Sequence, residues 1–203
     1  MDFQLAVFQI AVLLFSVVIH EVSHGVIANH LGDPTAKNLG RLTLNPVKHI
    51  DFFGSILLPA LLVLSHAPII FGWAKPVPYN PMFLRDPKRG AAYIAIAGPL
   101  ANFSVAIILG IVLRVVSPPE AFAFALQIII YINILLGVFN LVPIPPLDGS
   151  KLLFAFLGER HVAIERFLEQ YGMFMLLIFI FFGFQFLMPI IRVLFRLVTG
   201  ASF

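Results

Sequence analysis

Cysteine is absent from the 203-residue sequence, so no disulfide, thiolate metal site or cysteine nucleophile is available. Any transition-metal site must be built from histidine and carboxylate, a donor set that suits catalytic zinc. Charge is also scarce. Asp, Glu, Lys and Arg make up 11% of the residues, less than half the roughly 25% of an ordinary soluble domain. With 60% hydrophobic residues beside that figure, the composition excludes an ordinary globular protein and predicts an integral membrane protein. The net charge of +3 is small and scattered, which argues against nucleic acid as a partner and leaves the basic residues as topology markers. No internal repeat or flexible linker is visible. Residues 1–203 are therefore expected to form one domain, with a motif-bearing core over about 1–157 and amphipathic and C-terminal helices over 158–203.

What is present is a series of apolar segments. The first, about Phe3 to Ala28, exceeds the roughly 20 residues needed to cross a hydrocarbon core. It begins Met1-Asp2-Phe3, without a basic n-region or a small-residue cleavage site, and is expected to be a retained span rather than a leader. Leu31-Gly32-Asp33-Pro34 stops it. Further spans are expected over about 91–116, 121–141 and 172–198. The fold class is thus an all-α polytopic membrane protein with about four full transmembrane helices. To these the sequence adds a re-entrant or additional helical segment at 52–71 and an interfacial amphipathic helix at 159–171. In the latter, Ile164, Phe167, Leu168 and Tyr171 recur at helical spacing. Basic residues in 37–48 and 75–89 place both loops on the cytoplasmic side, which favours a segment 52–71 that enters and returns, with Gly54 and Pro59 at its bend. Gly72-Trp73-Ala74-Lys75-Pro76-Val77-Pro78 reads as extended chain, since a residue before proline is pushed out of the helical region.

Inside the first span lies His20-Glu21-Val22-Ser23-His24. Histidines at i and i+4 share one helical face and can hold one metal ion. Glu21 sits beside them, where a carboxylate can take a proton from water activated by the metal. The competing reading is a chance match, of the kind that occurs on surface helices. Ionisable groups at bilayer depth are costly, however, and mark functional sites. Asp148, after the proline-rich break at 142–146, is the other such residue. On local grounds it is either a third metal ligand or the N-cap of the helix that follows.

The chain resembles the site-2 proteases, the intramembrane zinc metalloproteases. His20-Glu21-Val22-Ser23-His24 carries the likeness, with Gly98-Pro99-Leu100-Ala101-Asn102 and Asn140-Leu141-Val142-Pro143-Ile144-Pro145-Pro146-Leu147-Asp148-Gly149 following in order. Gly72–Val77 is similar to the segment that precedes the glycine-proline helix in compact bacterial and archaeal members. The resemblance implies that His20, His24 and Asp148 ligate one zinc ion per chain and that Glu21 is the general base. It implies that Asn102 and Asn140 help to hold substrate or the developing oxyanion. It further implies a transmembrane protein substrate in a lipid setting, cleaved in a prokaryotic cell membrane with the active site toward the cytoplasm. No PDZ insert or cystathionine-β-synthase-type module occurs within these residues. Trp73–Val77 is a candidate to pair with an unwound substrate as an added strand.

Ser23, Asn29, Asn102 and Asn133 are candidates to line a water path, although Asn133 and Ser104 equally suit helix–helix hydrogen bonds. Gly98 and Ala101 read as close helix packing. His30 and His49 are expected to be solvated, His161 belongs to the amphipathic helix, and His66 is a candidate switch or gate. Two other functions remain open: a non-catalytic scaffold that binds transmembrane helices, and a metal transporter. Glu21 argues against the first, since scaffolding needs no base. The lack of an inverted repeat argues against the second.

Overall fold

The computed structural model describes residues 3–58, 61, 64–65, 73–157 and 161–200, and among these every regular element is helical. Four helices are long and apolar enough to cross a membrane: Phe3–His30, Pro87–Val116, Glu120–Asn140 and Val162–Phe186. The first is α1. Its predicted stop is closed by the Gly32 and Asp33 amides, which donate to Asn29 O at 3.2 Å and Ala28 O at 2.9 Å, a pairing that satisfies the last carbonyls of a helix. A single turn, α2 (Thr35–Asn38), follows.

Helix α3 (Pro87–Val116) is the hub of the fold and packs against α1, α4 (Glu120–Asn140) and α5 (Asp148–Leu157). Its start is well specified. The Asp86 side chain accepts from Arg89 N at 3.0 Å, and Pro87 takes the first helical position, where its missing N–H costs nothing. Gly149 explains how α5 can begin so close to the end of α4. A β-carbon there would run into the backbone oxygens of Leu141 and Val142.

The C-terminal region departs from expectation. The helix that begins at Val162 does not end before Gly172. It runs on as α6 (Val162–Ile178), through a π turn at Phe179–Gly183 and a 3-10 turn at Phe184–Phe186, to α7 (Met188–Thr199). The expected boundary between an amphipathic helix 159–171 and a span 172–198 is therefore absent, and the apolar span begins at Val162. Gly172 does not interrupt it because its bare α-carbon faces Pro145, where packing holds the helix together. The break comes near Pro189 instead, whose ring and missing N–H disrupt the preceding turn. Leu187 and, in α7, Ile191 and Phe195 pack against Ala106, Ile130, Ile134 and Val138 of α3 and α4.

Segment 52–71 is described only in part, and Pro59 and His66 lie outside the described residues. Its two ends meet. Trp73 N donates to Gly54 O at 3.1 Å, and Ser55 Oγ donates to Trp73 O at 2.8 Å.

Candidate metal centre

His20 and His24 lie on the buried face of α1, 5% and 8% exposed, and Asp148 is the first residue of α5. One ligand atom from each falls within 4.8 Å of the others, a group that could hold a metal ion. His20 Nε2 is 3.0 Å and His24 Nε2 3.2 Å from Asp148 Oδ2. Asp148 therefore directs its carboxylate at the histidines rather than at the backbone of its own helix.

The opposite edges of the two rings fix the chemistry. His20 Nδ1 is 2.6 Å from Asn102 Oδ1, and His24 Nδ1 is 2.7 Å from the Ile94 carbonyl oxygen. Both partners are acceptors, so each neutral ring carries its proton on Nδ1. Both Nε2 atoms are then lone-pair acceptors, and they face a carboxylate. Three acceptors converging in a largely buried place repel unless a metal ion or a shared proton lies among them. The two separations from Asp148 Oδ2 are also close to the roughly 3.3 Å edge of a tetrahedron with zinc-length bonds of about 2.0–2.1 Å. The donor set fits such an ion.

One face of α3 builds this arrangement. Ile94, Gly98 and Asn102 follow at intervals of four. Ile94 and Asn102 orient the rings, and Gly98 leaves room for both. Sequence reasoning found Gly98 and Asn102 but missed Ile94, because a main-chain carbonyl has no signature in the side-chain code.

Asn102 sits differently from its expected place beside substrate. It is fully buried, and its amide nitrogen donates to Ser16 O at 3.2 Å and Asn133 Oδ1 at 2.9 Å. Asn133 Nδ2 in turn donates to Ser16 Oγ at 3.0 Å and Ile129 O at 2.9 Å. With both amide hydrogens and its oxygen engaged, Asn102 has no donor left for an oxyanion. Asn102 and Asn133 thus form a buried interhelical hydrogen-bond network. Asn140, half-buried, donates to Leu136 O of its own helix at 3.0 Å. Ser104 likewise bonds back to Leu100 O, within its own helix.

Glu21 Oε2 accepts from the Val77 backbone N–H at 2.8 Å, so the extended segment 73–80 crosses beside the histidine pair. Lys75 N donates to His49 O at 2.9 Å, and Asn80 N to Asp33 Oδ2 at 2.6 Å. Burial opposes the charge on Asp33, but bonds from Thr35 Oγ1 and from the Asn80 and Thr35 amides overcome it and hold the carboxyl below the usual carboxylate range. The amides of Trp73, Lys75 and Val77 are therefore all used internally, and Pro76 and Pro78 have none. Over 73–78 only Ala74 keeps an N–H not held in this way among the described residues. Ala74 is thus the one main-chain donor that this stretch leaves for the expected strand addition. His49 also departs from expectation. It is 1% exposed, with Nε2 2.9 Å from Thr43 O, because the 73–77 segment covers it. His30 and His161 are exposed.

Residues 117–183 match the profile of Peptidase family M50. The chain is 41% identical over 151 residues to “Putative zinc metalloprotease YwhC” of Bacillus subtilis (strain 168), covering 70% of this chain and 65% of that protein. It is 32% identical over 146 residues to “Putative zinc metalloprotease Rip2” of Mycolicibacterium smegmatis, covering 71% and 55%. To “Zinc metalloprotease MJ0392” of Methanocaldococcus jannaschii it is 28% identical over 184 residues, covering 85% and 42%. The chain thus spans less than two thirds of the length of each of these relatives. No solved structure gives a significant match.

Proposed function

We infer, from the chain's belonging to peptidase family M50, the site-2 proteases, that it is a zinc endopeptidase that hydrolyses a peptide bond in or next to a transmembrane segment of another protein. The observation that carries this reading is the convergence of three acceptors, His20 Nε2, His24 Nε2 and Asp148 Oδ2, beside a further carboxylate. His20, His24 and Asp148 would hold the ion. Zinc in such a site acidifies water and polarises a carbonyl, which is the chemistry peptide hydrolysis needs at neutral pH.

The remaining steps fall to the chain's own groups. Glu21 has one oxygen, Oε2, held by Val77 N–H, which orients the carboxylate and leaves Oε1 to take the proton of the attacking water and pass it to the leaving nitrogen. Asn102 and the Ile94 carbonyl fix the imidazole tautomers so that both Nε2 atoms point inward. Asn140 retains a second amide hydrogen beyond its bond to Leu136, which supports its role as a donor to substrate. Burial of both histidines keeps bulk water away. The basic loops argue for a cytoplasmic-facing site, and the bacterial and archaeal relatives for a prokaryotic cell membrane.

The test is cleavage of a panel of single-span reporters by the purified protein in lipid. Cleavage should stop with a chelator and return with added zinc. Cleavage unaffected by metal removal would refute the reading. For the orienting role of Asn102, Asn102→Leu is expected to weaken zinc binding about 10- to 100-fold. A competition titration against a chromophoric chelator measures this, and unchanged affinity would show that the His20 ring needs no such partner.

A further inference from the structure

Arg41 is 8% exposed, yet among the described residues no carboxylate pairs with it. Its Nε is buried without a partner. A buried guanidinium without a counter-ion is costly, so what its remaining nitrogens hold matters. One terminal nitrogen donates to the carbonyl oxygens of Lys75, at 2.8 Å, and Pro76, at 3.2 Å. The Pro76 carbonyl and the Val77 N–H belong to one peptide group. That N–H is the donor to Glu21 Oε2. Hydrogen bonds therefore run from the cation, through one peptide unit, to the carboxylate beside the histidines.

We propose that Arg41 is a positioning residue for Glu21, acting through the Pro76–Val77 peptide group. The proposal rests on the protease reading for its functional consequence. A donor on a peptide oxygen draws electron density from the nitrogen and makes the N–H at the other end a stronger donor, by about 10–30% per bond. The bond to Glu21 is charge-assisted and gains most from this. Arg41 also fixes where that N–H stands, because it grips the two carbonyls just before it. His49 O and Asp33 hold the same segment at Lys75 and Asn80, but neither bonds to the peptide unit that reaches Glu21. Segment 73–80 is therefore a strap whose purpose at Val77 is to aim the base, which accounts for its amides being turned inward and not left for a substrate strand.

Two readouts test this on the full chain in lipid nanodiscs. The first is the Val77 amide proton, observed with 15N-valine labelling. It should move upfield in Glu21→Gln, in which a neutral acceptor replaces a charged one, and also in Arg41→Gln, but not in the exposed Lys48→Gln. The second is steady-state cleavage. Arg41→Gln should lower kcat by about 10- to 100-fold, the cost of a misplaced catalytic group, with KM changed by less than about twofold. Its zinc content should equal that of the wild type, because His20, His24 and Asp148 lie outside the chain of bonds. Arg41→Lys keeps the charge but loses the planar fork, and should fall between. It is read in the same way if Arg41→Gln does not fold. A Val77 resonance unmoved by loss of the guanidinium overturns the proposal, as does a moved resonance with unchanged kcat. If the wild type cleaves nothing, the protease reading fails, and the Val77 shift alone then decides whether the relay exists.

Discussion

Glu21→Gln is expected to keep one zinc ion per chain and to lose cleavage by about 10²- to 10⁴-fold, the contribution usual for a positioned general base. The replacement is close to isosteric. Its amide oxygen can still accept the Val77 N–H that Glu21 Oε2 now accepts at 2.8 Å, so the strap stays in place. Glu21 is also not among the three residues whose ligand atoms converge, which is why bound metal should survive. What disappears is basicity, since a carboxamide cannot carry the proton from water to the leaving nitrogen. Metal analysis and reporter cleavage on the same preparation separate the outcomes. Loss of zinc would make Glu21 structural. Retained zinc with retained cleavage would place the base elsewhere.

Gly98→Ala is expected to empty the site. A β-carbon at position 98 would stand 2.5 Å from His20 Nε2, 2.6 Å from His20 Cε1 and 2.6 Å from His24 Cε1. Contacts that short are not tolerated, so something must shift. The rings cannot swing aside freely, because their Nδ1 atoms are tied to Asn102 and Ile94, one turn to either side on the same helix. The helix cannot easily retreat, because α3 is packed on several sides by α1, α4 and α5. Overpacking of this kind costs about 1–3 kcal/mol in stability, a loss the fold can survive. The metal site cannot survive it, since both imidazole ligands are displaced together. Zinc affinity should fall by more than the roughly 100-fold upper range for losing one outer partner. Normal zinc stoichiometry in Gly98→Ala, measured after dialysis against a weak chelator, would show that the histidines bind in another arrangement.

The extent of the membrane helices was readable because it depends on composition and length. Phe3–His30, Pro87–Val116 and Glu120–Asn140 lie within a few residues of the expected spans. The histidine pair was readable for a similar reason, since spacing within one helix fixes which side chains share a face. Asp148 was only half readable. Its cost at bilayer depth marked it, but a ligand and an N-cap look alike in sequence, and its closeness to His20 and His24 is set by a partner helix far along the chain.

Three features were open only to the tertiary structure. Whether Gly172 ended a helix depended on Pro145 packing against it, a contact between segments remote in sequence. Whether Asn102 faced substrate or His20 depended on which of its polar atoms were already taken by Ser16 and Asn133. Whether 73–78 offered its amides to a partner depended on His49, Gly54 and Glu21 having claimed them first. The sequence by itself determined the chemistry-bearing residues and the lengths of the spans, because both are properties of single segments. Only the tertiary structure decided which hydrogen-bonding groups remained free, because a main-chain donor or acceptor is the same in every residue and its partner is set by what folds against it.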